Sequence, residues 1–182
     1  MDLYYTELIN GDGRKTVRSL LKYAVKTSFN IEAPEIKKDK WGKPYFEECS
    51  HIHFSLSHGK THVLCGVDTM PLGVDVETIR PLRPGVRERV CASQELAVFD
   101  FFDLWVLKES YIKCLGHTNL SLNQIIFSKK SSSPAKPACP LPHLTCSIFK
   151  DFPGCSAVLC CENNNIPDSI TYVNSSGLIF FT

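Results

Sequence analysis

Among the nine cysteines of this 182-residue chain no two stand in C-x-x-C spacing, and the count is odd. Cys49, Cys65, Cys91, Cys114, Cys139, Cys146, Cys155, Cys160 and Cys161 therefore spell neither a zinc-ligand pattern nor a disulfide framework. Several sit in apolar runs, as in Ala157-Val158-Leu159-Cys160-Cys161, so buried reduced thiols acting as small apolar residues are expected. An excess of charge of one sign is also missing. The formal net charge is +1, which argues against bulk nucleic-acid binding while leaving room for a local basic patch. There is no apolar run long enough to span a bilayer. The segment Met1 to Asn10 carries Asp2 and Glu7 and has no long apolar core, so no signal peptide is read and a cytoplasmic location is the expectation. No repeat relates one part of the chain to another.

What is present is ordinary for a globular protein, with 43% hydrophobic and 21% charged residues, and the length suits one large domain or two small ones. Val17, Leu20, Leu21, Ala24 and Val25 recur at helical spacing between basic residues, predicting a helix over Arg14 to Phe29. Trp41 to Tyr45 is a turn signal leading into an extended stretch. Strands are expected over His51 to Ser57, Thr61 to Asp68 and Leu72 to Glu77, with Pro71 breaking the second. Glu88 to Phe99 and Phe102 to Leu115 read as helices, the latter stopped by Gly116. Gln124 to Phe127, Thr145 to Phe149, Ser156 to Cys161 and Ser169 to Val173 are strand candidates. Lys129 to Pro142, rich in Ser, Pro and Lys, reads as a mobile surface loop. The order of elements suggests an α+β fold, arranged as two halves joined near Pro71.

Two constellations carry chemistry. In Gly73-Val74-Asp75-Val76-Glu77 a strand would point Asp75 and Glu77 to one face and the valines to the other. Neighbouring carboxylates repel unless a cation lies between them, and an all-oxygen donor set suits Mg²⁺ with substrate phosphates. Alone, such a pair is an ordinary solvated strand face. In Trp105-Val106-Leu107-Lys108-Glu109-Ser110-Tyr111-Ile112-Lys113 a helix would align Trp105, Glu109 and Lys113, with Lys108 about 100° round from Glu109. Alone, that is an exposed Glu–Lys helix pair.

Together they resemble the 4′-phosphopantetheinyl transferase superfamily, whose pattern is G-[IV]-D-[IV]-E followed about thirty residues later by W-x-x-K-E-[AS]-x-x-K. Gly42-Lys43-Pro44 matches the family's G-K-P, and Phe54-Ser55-Leu56-Ser57-His58 resembles its F-N-[IL]-S-H. Leu120-Ser121-Leu122 is similar to the segment that usually follows the helix. The likeness covers roughly Arg14 to Phe127 and a final strand at Ser156 to Cys161, and it is closest to the surfactin-synthetase-activating type.

The resemblance implies a monomeric pseudo-dimer of two similar α/β halves, an N-terminal one over 1–71 on the coenzyme A nucleotide side and a C-terminal one over 72–182 bearing the metal site. It implies Mg²⁺ as cofactor, coenzyme A as co-substrate, and an apo acyl or peptidyl carrier protein whose serine takes the phosphopantetheine arm, as in holo-acyl-carrier-protein synthesis. Asp75, Glu77 and Glu109 would be metal ligands, and Lys108 and Lys113 would meet phosphate charge. Arg18, Lys43, Ser57 and His58 would bind coenzyme A, His58 at the 3′-phosphate. Glu95 or Glu109 would take the serine proton. A capping box fails to account for Glu95, since it lies two residues after Ser93 rather than three. Departures from the pattern are Val90 to Ser93, where relatives often carry aromatics, and Gly59 in place of a frequent serine. Three other readings compete: a non-catalytic carrier- or coenzyme-A-binding member of the same fold, a zinc protein using His51, His53, His58 and His62 with nearby cysteines, and a Mg²⁺ nuclease.

Overall fold

The computed structural model describes residues 1–130, 133–150, 152–162 and 166–178, with the backbone alone for residues 130 and 133–136. In chain order the elements are β1 (Asp2–Glu7), α1 (Gly13–Phe29), β2 (Ile36–Lys38), β3 (Pro44–Phe46), β4 (His53–His58), β5 (His62–Asp68) and β6 (Leu72–Thr78). There follow α2 (Val86–Val90), α3 (Ser93–Leu96), α4 (Phe101–Leu115), β7 (Ser128–Lys130), β8 (Ser133–Ala138), β9 (Thr145–Phe149), β10 (Cys155–Cys161), β11 (Thr171–Tyr172) and α5 (Ser175–Leu178). The architecture is mixed α+β, with one sheet in the order β11-β1-β5-β4, another in the order β6-β10-β9, and two small pairs, β2-β3 and β7-β8.

Each larger sheet carries one long helix. Asp12 caps α1 by accepting the Lys15 N–H at 3.0 Å, and Asn30 ends it in the left-handed conformation. The apolar stripe Val17, Leu20, Leu21, Ala24 and Val25 then packs with Phe54, Val63 and Cys65 of the first sheet. Along α4 the residues Leu104, Leu107, Tyr111 and Cys114 form the buried stripe, against Val158 and Cys160 of β10. Gly116, at φ 81°, terminates α4 as its position predicts.

The two sheets meet edge to edge. Strands β4 and β6 belong to different sheets, yet their edges are bridged by side chains. Ser55 Oγ accepts the Val74 N–H at 2.9 Å and Ser57 Oγ accepts the Val76 N–H at 3.2 Å. Backbone donors at an edge are thereby satisfied without a ladder. The chain crosses back over the expected 71/72 boundary near its C-terminal end, where β11 pairs in parallel with β1 and Leu178 joins the core under α1.

Four expectations need correction. The segment Glu88 to Phe99 is two short helices, because Cys91 and Ala92 are extended and Val90 and Cys91 are buried in the core. Gln124 to Phe127 is no ladder strand. A single 3₁₀ turn occupies Leu122–Gln124, and the Phe127 N–H goes to Glu95 instead of a neighbouring strand. Lys129 to Pro142 carries β7 and β8 paired antiparallel, its residues 131 and 132 lying outside the described ones. Strand β1 was not expected at all; Leu3, Tyr4 and Thr6 are buried in it because it fills the centre of the first sheet beside β5.

Candidate active site

Gly73 is the key to the site's position. A Cβ there would lie 1.9 Å from the Ser110 carbonyl oxygen and 2.4 Å from the Cys114 nitrogen. Only glycine lets the backbone of α4 sit directly on β6 at this point. That close approach brings the Glu109 face of the helix beside the Asp75 and Glu77 face of the strand.

The result is an open cavity of about 290 Å³ lined by Leu56, Ser57, His58, Asp75, Glu77, Trp105, Glu109 and Lys113. The three carboxylates expected as metal ligands are thus brought together. Asp75 is buried, and its Oδ1 accepts from Ser57 Oγ at 2.6 Å and from Lys113 Nζ at 2.7 Å. Lys113 also donates to the Leu56 and Val74 carbonyls at 3.2 and 3.1 Å, so its ammonium staples β4 to β6 at the cavity floor. Glu77 is ion-paired with Arg80. Glu109 is partly buried, and its carboxyl is raised above the usual carboxylate range by burial first and by the Asp75 and Glu77 charges, with Lys113 pulling the other way.

Three oxygen donors in an open, water-accessible cavity match what a hard divalent cation requires. In this arrangement their oxygens do not all come within 4.8 Å of one another. Glu77 turns to Arg80, and Asp75 turns to Lys113 and Ser57. The donor set fits Mg²⁺, with protein cations and a hydroxyl holding two of the carboxylates.

The structure does not bring Lys108 and Glu95 into this cavity, which corrects the roles expected of both. They form an ion pair of 2.5 Å with neither side chain exposed. Lys108 Nζ also donates to the Val90 carbonyl at 2.7 Å. Glu95 accepts from the Ala92 N–H at 2.9 Å and the Phe127 N–H at 2.8 Å. The capping explanation of Glu95 therefore holds in part: the cap residue is Ala92, one position earlier than the sequence suggests, so Glu95 stands three residues on and bonds back to it. Lys108 lies about 100° round from Glu109 on a helix, and here that angle points into the core rather than the pocket.

Ser57 is likewise engaged inside the protein, donating to Asp75 while accepting from Val76. His58 is exposed at the cavity rim, against the first turn of α1, where a Cβ on Gly13 would come 2.9 Å from its ring. Lys43 lines two neighbouring cavities of about 450 and 270 Å³, the second sharing Leu56 and Lys113 with the acidic one. Its Nζ donates to the Cys114 carbonyl at 2.8 Å, and burial lowers its pKa. Arg18 is exposed on α1 and outside the residues lining the acidic cavity. Sequence reasoning missed Ser55 and Arg80. The spacing of Arg80, three residues past Glu77, was the available signal for the latter.

Comparison with known proteins bears on the same residues. A model of the 4′-phosphopantetheinyl transferase superfamily matches residues 71–153, the stretch that contains β6 and α4. The 4′-phosphopantetheinyl transferase ffp of Bacillus subtilis is 27% identical over 176 residues, covering 88% of this chain and 78% of the relative. The 4′-phosphopantetheinyl transferase Sfp of Bacillus subtilis strain 168 gives the same figures. The 4′-phosphopantetheinyl transferase gsp of Aneurinibacillus migulanus is 33% identical over 90 residues, 44% of this chain and 37% of the relative.

Proposed function

We propose, from the premise that the chain belongs to the 4′-phosphopantetheinyl transferase superfamily, that it moves the 4′-phosphopantetheine arm of coenzyme A onto a serine of an apo acyl or peptidyl carrier protein. The products are holo-carrier and 3′,5′-ADP. The observation that carries this reading is the meeting of Asp75, Glu77 and Glu109 in one open cavity with Lys113 and His58.

Asp75, Glu77 and Glu109 would hold Mg²⁺. When bound, that ion supplies charge neutralisation on the pyrophosphate and orients it for attack. Lys113, fixed by two carbonyls and Asp75, presents a preorganised positive charge to phosphate oxygens. His58 at the rim and Lys43 along the adjoining cavities line a path for the nucleotide. Ser57 serves by holding Asp75. With Glu95 sealed in the core, Glu109 is the one of the two acids left to accept the serine proton, and burial together with the Asp75 and Glu77 charges raises its carboxyl in the metal-free protein, the direction that favours taking up a proton. Glu95 and Lys108 act as a brace that joins α3, α4 and Phe127.

The same premise supports the pseudo-dimeric arrangement, since each half sets one long helix on a mainly antiparallel sheet. We extend it to a cytoplasmic monomer. Among the described residues no helix is long and apolar enough to cross a membrane.

The test uses fluorescent coenzyme A, Mg²⁺ and a panel of apo carrier proteins, with mass gain on the carrier as readout. Transfer by the native protein, reduced on the order of 100-fold or more in Asp75→Ala and Glu109→Ala and abolished by chelation, is the expected result. Coenzyme A binding is measured on the same samples. Failure of both binding and transfer overturns the enzyme reading and leaves a retained fold.

A further inference from the structure

Three cysteines in or just beyond successive strands, Cys139, Cys146 and Cys160, converge on the side of α4 away from the acidic cavity. Cys160 of β10 and Cys146 of β9 are direct cross-strand partners, so their side chains share one face of the sheet. That face is the one α4 covers, and Cys161, the next residue, points to the opposite core as strand alternation requires. Cys139, just beyond β8, folds over the pair. The three Sγ atoms lie within 4.8 Å of one another, and Cys139 and Cys146 are 2.9 Å apart. All three are reduced thiols, with Cys146 and Cys160 buried and Cys139 half-buried. Among the described residues this is the group of His, Cys, Asp or Glu side chains gathered closely enough to share an ion. Cys114, on the α4 turn that also bears Lys113, packs in the same apolar cluster.

We propose that Cys139, Cys146 and Cys160 form a thiolate site for a soft d¹⁰ cation, Zn²⁺ or Cu⁺. A thiolate–metal bond of about 2.3 Å places sulfur ligands roughly 3.8–4.0 Å apart, within the span of this cluster. Three sulfurs in an apolar shell suit Cu⁺ as they stand. Zn²⁺ takes four ligands and would recruit the Cys114 thiol as the fourth. Bound there, the ion ties the end of β8, β9 and β10 together, and in the Zn²⁺ case α4 as well. It would therefore brace the helix that presents Glu109 and Lys113, from behind.

The site is tested on reduced, metal-stripped full-length protein titrated anaerobically with Co²⁺ as a spectroscopic probe, and then with Zn²⁺ and with Cu⁺ followed by native mass spectrometry. A sulfur-to-cobalt charge-transfer band, which carboxylates of the acidic cavity cannot produce, and uptake of one thiolate-bound cation per chain are expected, with a rise in unfolding temperature. Cys139→Ser, at the half-buried edge, and Cys160→Ser should each abolish the band, whereas Cys49→Ser, in the other half of the molecule, should leave it unchanged. Folding of each variant is checked by cooperative thermal unfolding. If Cys114→Ala removes Zn²⁺ uptake and spares Cu⁺, the four-ligand zinc arrangement holds; if it spares both, the trigonal one does. The proposal is overturned if no band forms, if the band survives in the Cys139→Ser, Cys160→Ser double variant, or if the fully reduced protein takes up neither Zn²⁺ nor Cu⁺.

Discussion

Helix α4 presents two lysine–carboxylate pairs that differ in one respect, their access to water. Lys108 and Glu95 meet in the dry interior with every charged group satisfied: Glu95 has three donors, and Lys108 has two acceptors. Lys113 and Asp75 meet at the floor of an open cavity where two further carboxylates, Glu77 and Glu109, crowd the same space. The first pair finds its partners within the fold. The second leaves Glu109 with burial and negative neighbours raising its carboxyl, a state that a cation would relieve. Residue type and motif position do not separate structure from chemistry here. Solvent access and unmet charge do.

The largest effect on that comparison should come from Lys108→Ala. It leaves the Glu95 charge uncompensated in the core, and a loss of about 3–5 kcal/mol in unfolding free energy is expected. The double variant Lys108→Met, Glu95→Gln should recover part of it, since no unpaired charge remains. Chemical denaturation of both proteins measures this. A Lys108→Ala protein that keeps its stability yet loses transfer would break the comparison and put Lys108 in the chemistry.

Gly73→Ala comes next. The added methyl meets the α4 backbone at Ser110, so helix and strand must separate, at a cost of about 1–3 kcal/mol. Because Glu109 rides on that helix, Mg²⁺ affinity measured by calorimetry should fall with stability, whereas Lys108 variants that remain folded should keep theirs.

The smallest effect sharpens the contrast from the other side. The Glu109 carboxyl is raised in the folded state, so its protonated form is the one folding favours. Its contribution is fully present below the unfolded pKa and is lost as pH rises through the folded one. At neutral pH without metal, Glu109→Gln should therefore raise the unfolding temperature, by roughly 1–3 °C after solvent screening, and the gain should vanish on acidification. Transfer should be lost in the same variant. A destabilised Glu109→Gln protein at neutral pH would mean that Glu109 is held as Glu95 is.

Much of this was readable in order along the chain. Helices α1 and α4 follow the helical repeat of their apolar residues, and strands β5, β6 and β10 are short, largely apolar runs buried along most of their length. The D-x-E strand and the Trp105-Glu109-Lys113 helix face were legible for the same reason, since alternation and the helical repeat are local rules. Strand β1 and the break at Cys91-Ala92 were not, because pairing with β5 and anchoring in the core are contacts with distant segments. The placement of Glu95 depended on which residue capped α3, a choice that the backbone makes only when Phe127 and Lys108 arrive to share the carboxylate.

The sequence by itself determined the α+β class, the two faces that carry the acids, and the family pattern they spell, because each is a matter of residue type at fixed spacing. Only the tertiary structure decided which charges remain available. It turned Lys108 and Glu95 inward, spent Ser57 on Asp75, and gathered Cys139, Cys146 and Cys160 from the end of β8, from β9 and from β10 at spacings that spell no ligand motif. The reason is physical: burial and partnership are properties of what lies opposite a side chain, and for Lys108, Ser57 and Lys113 the carboxylate opposite stands 13, 18 and 38 positions away.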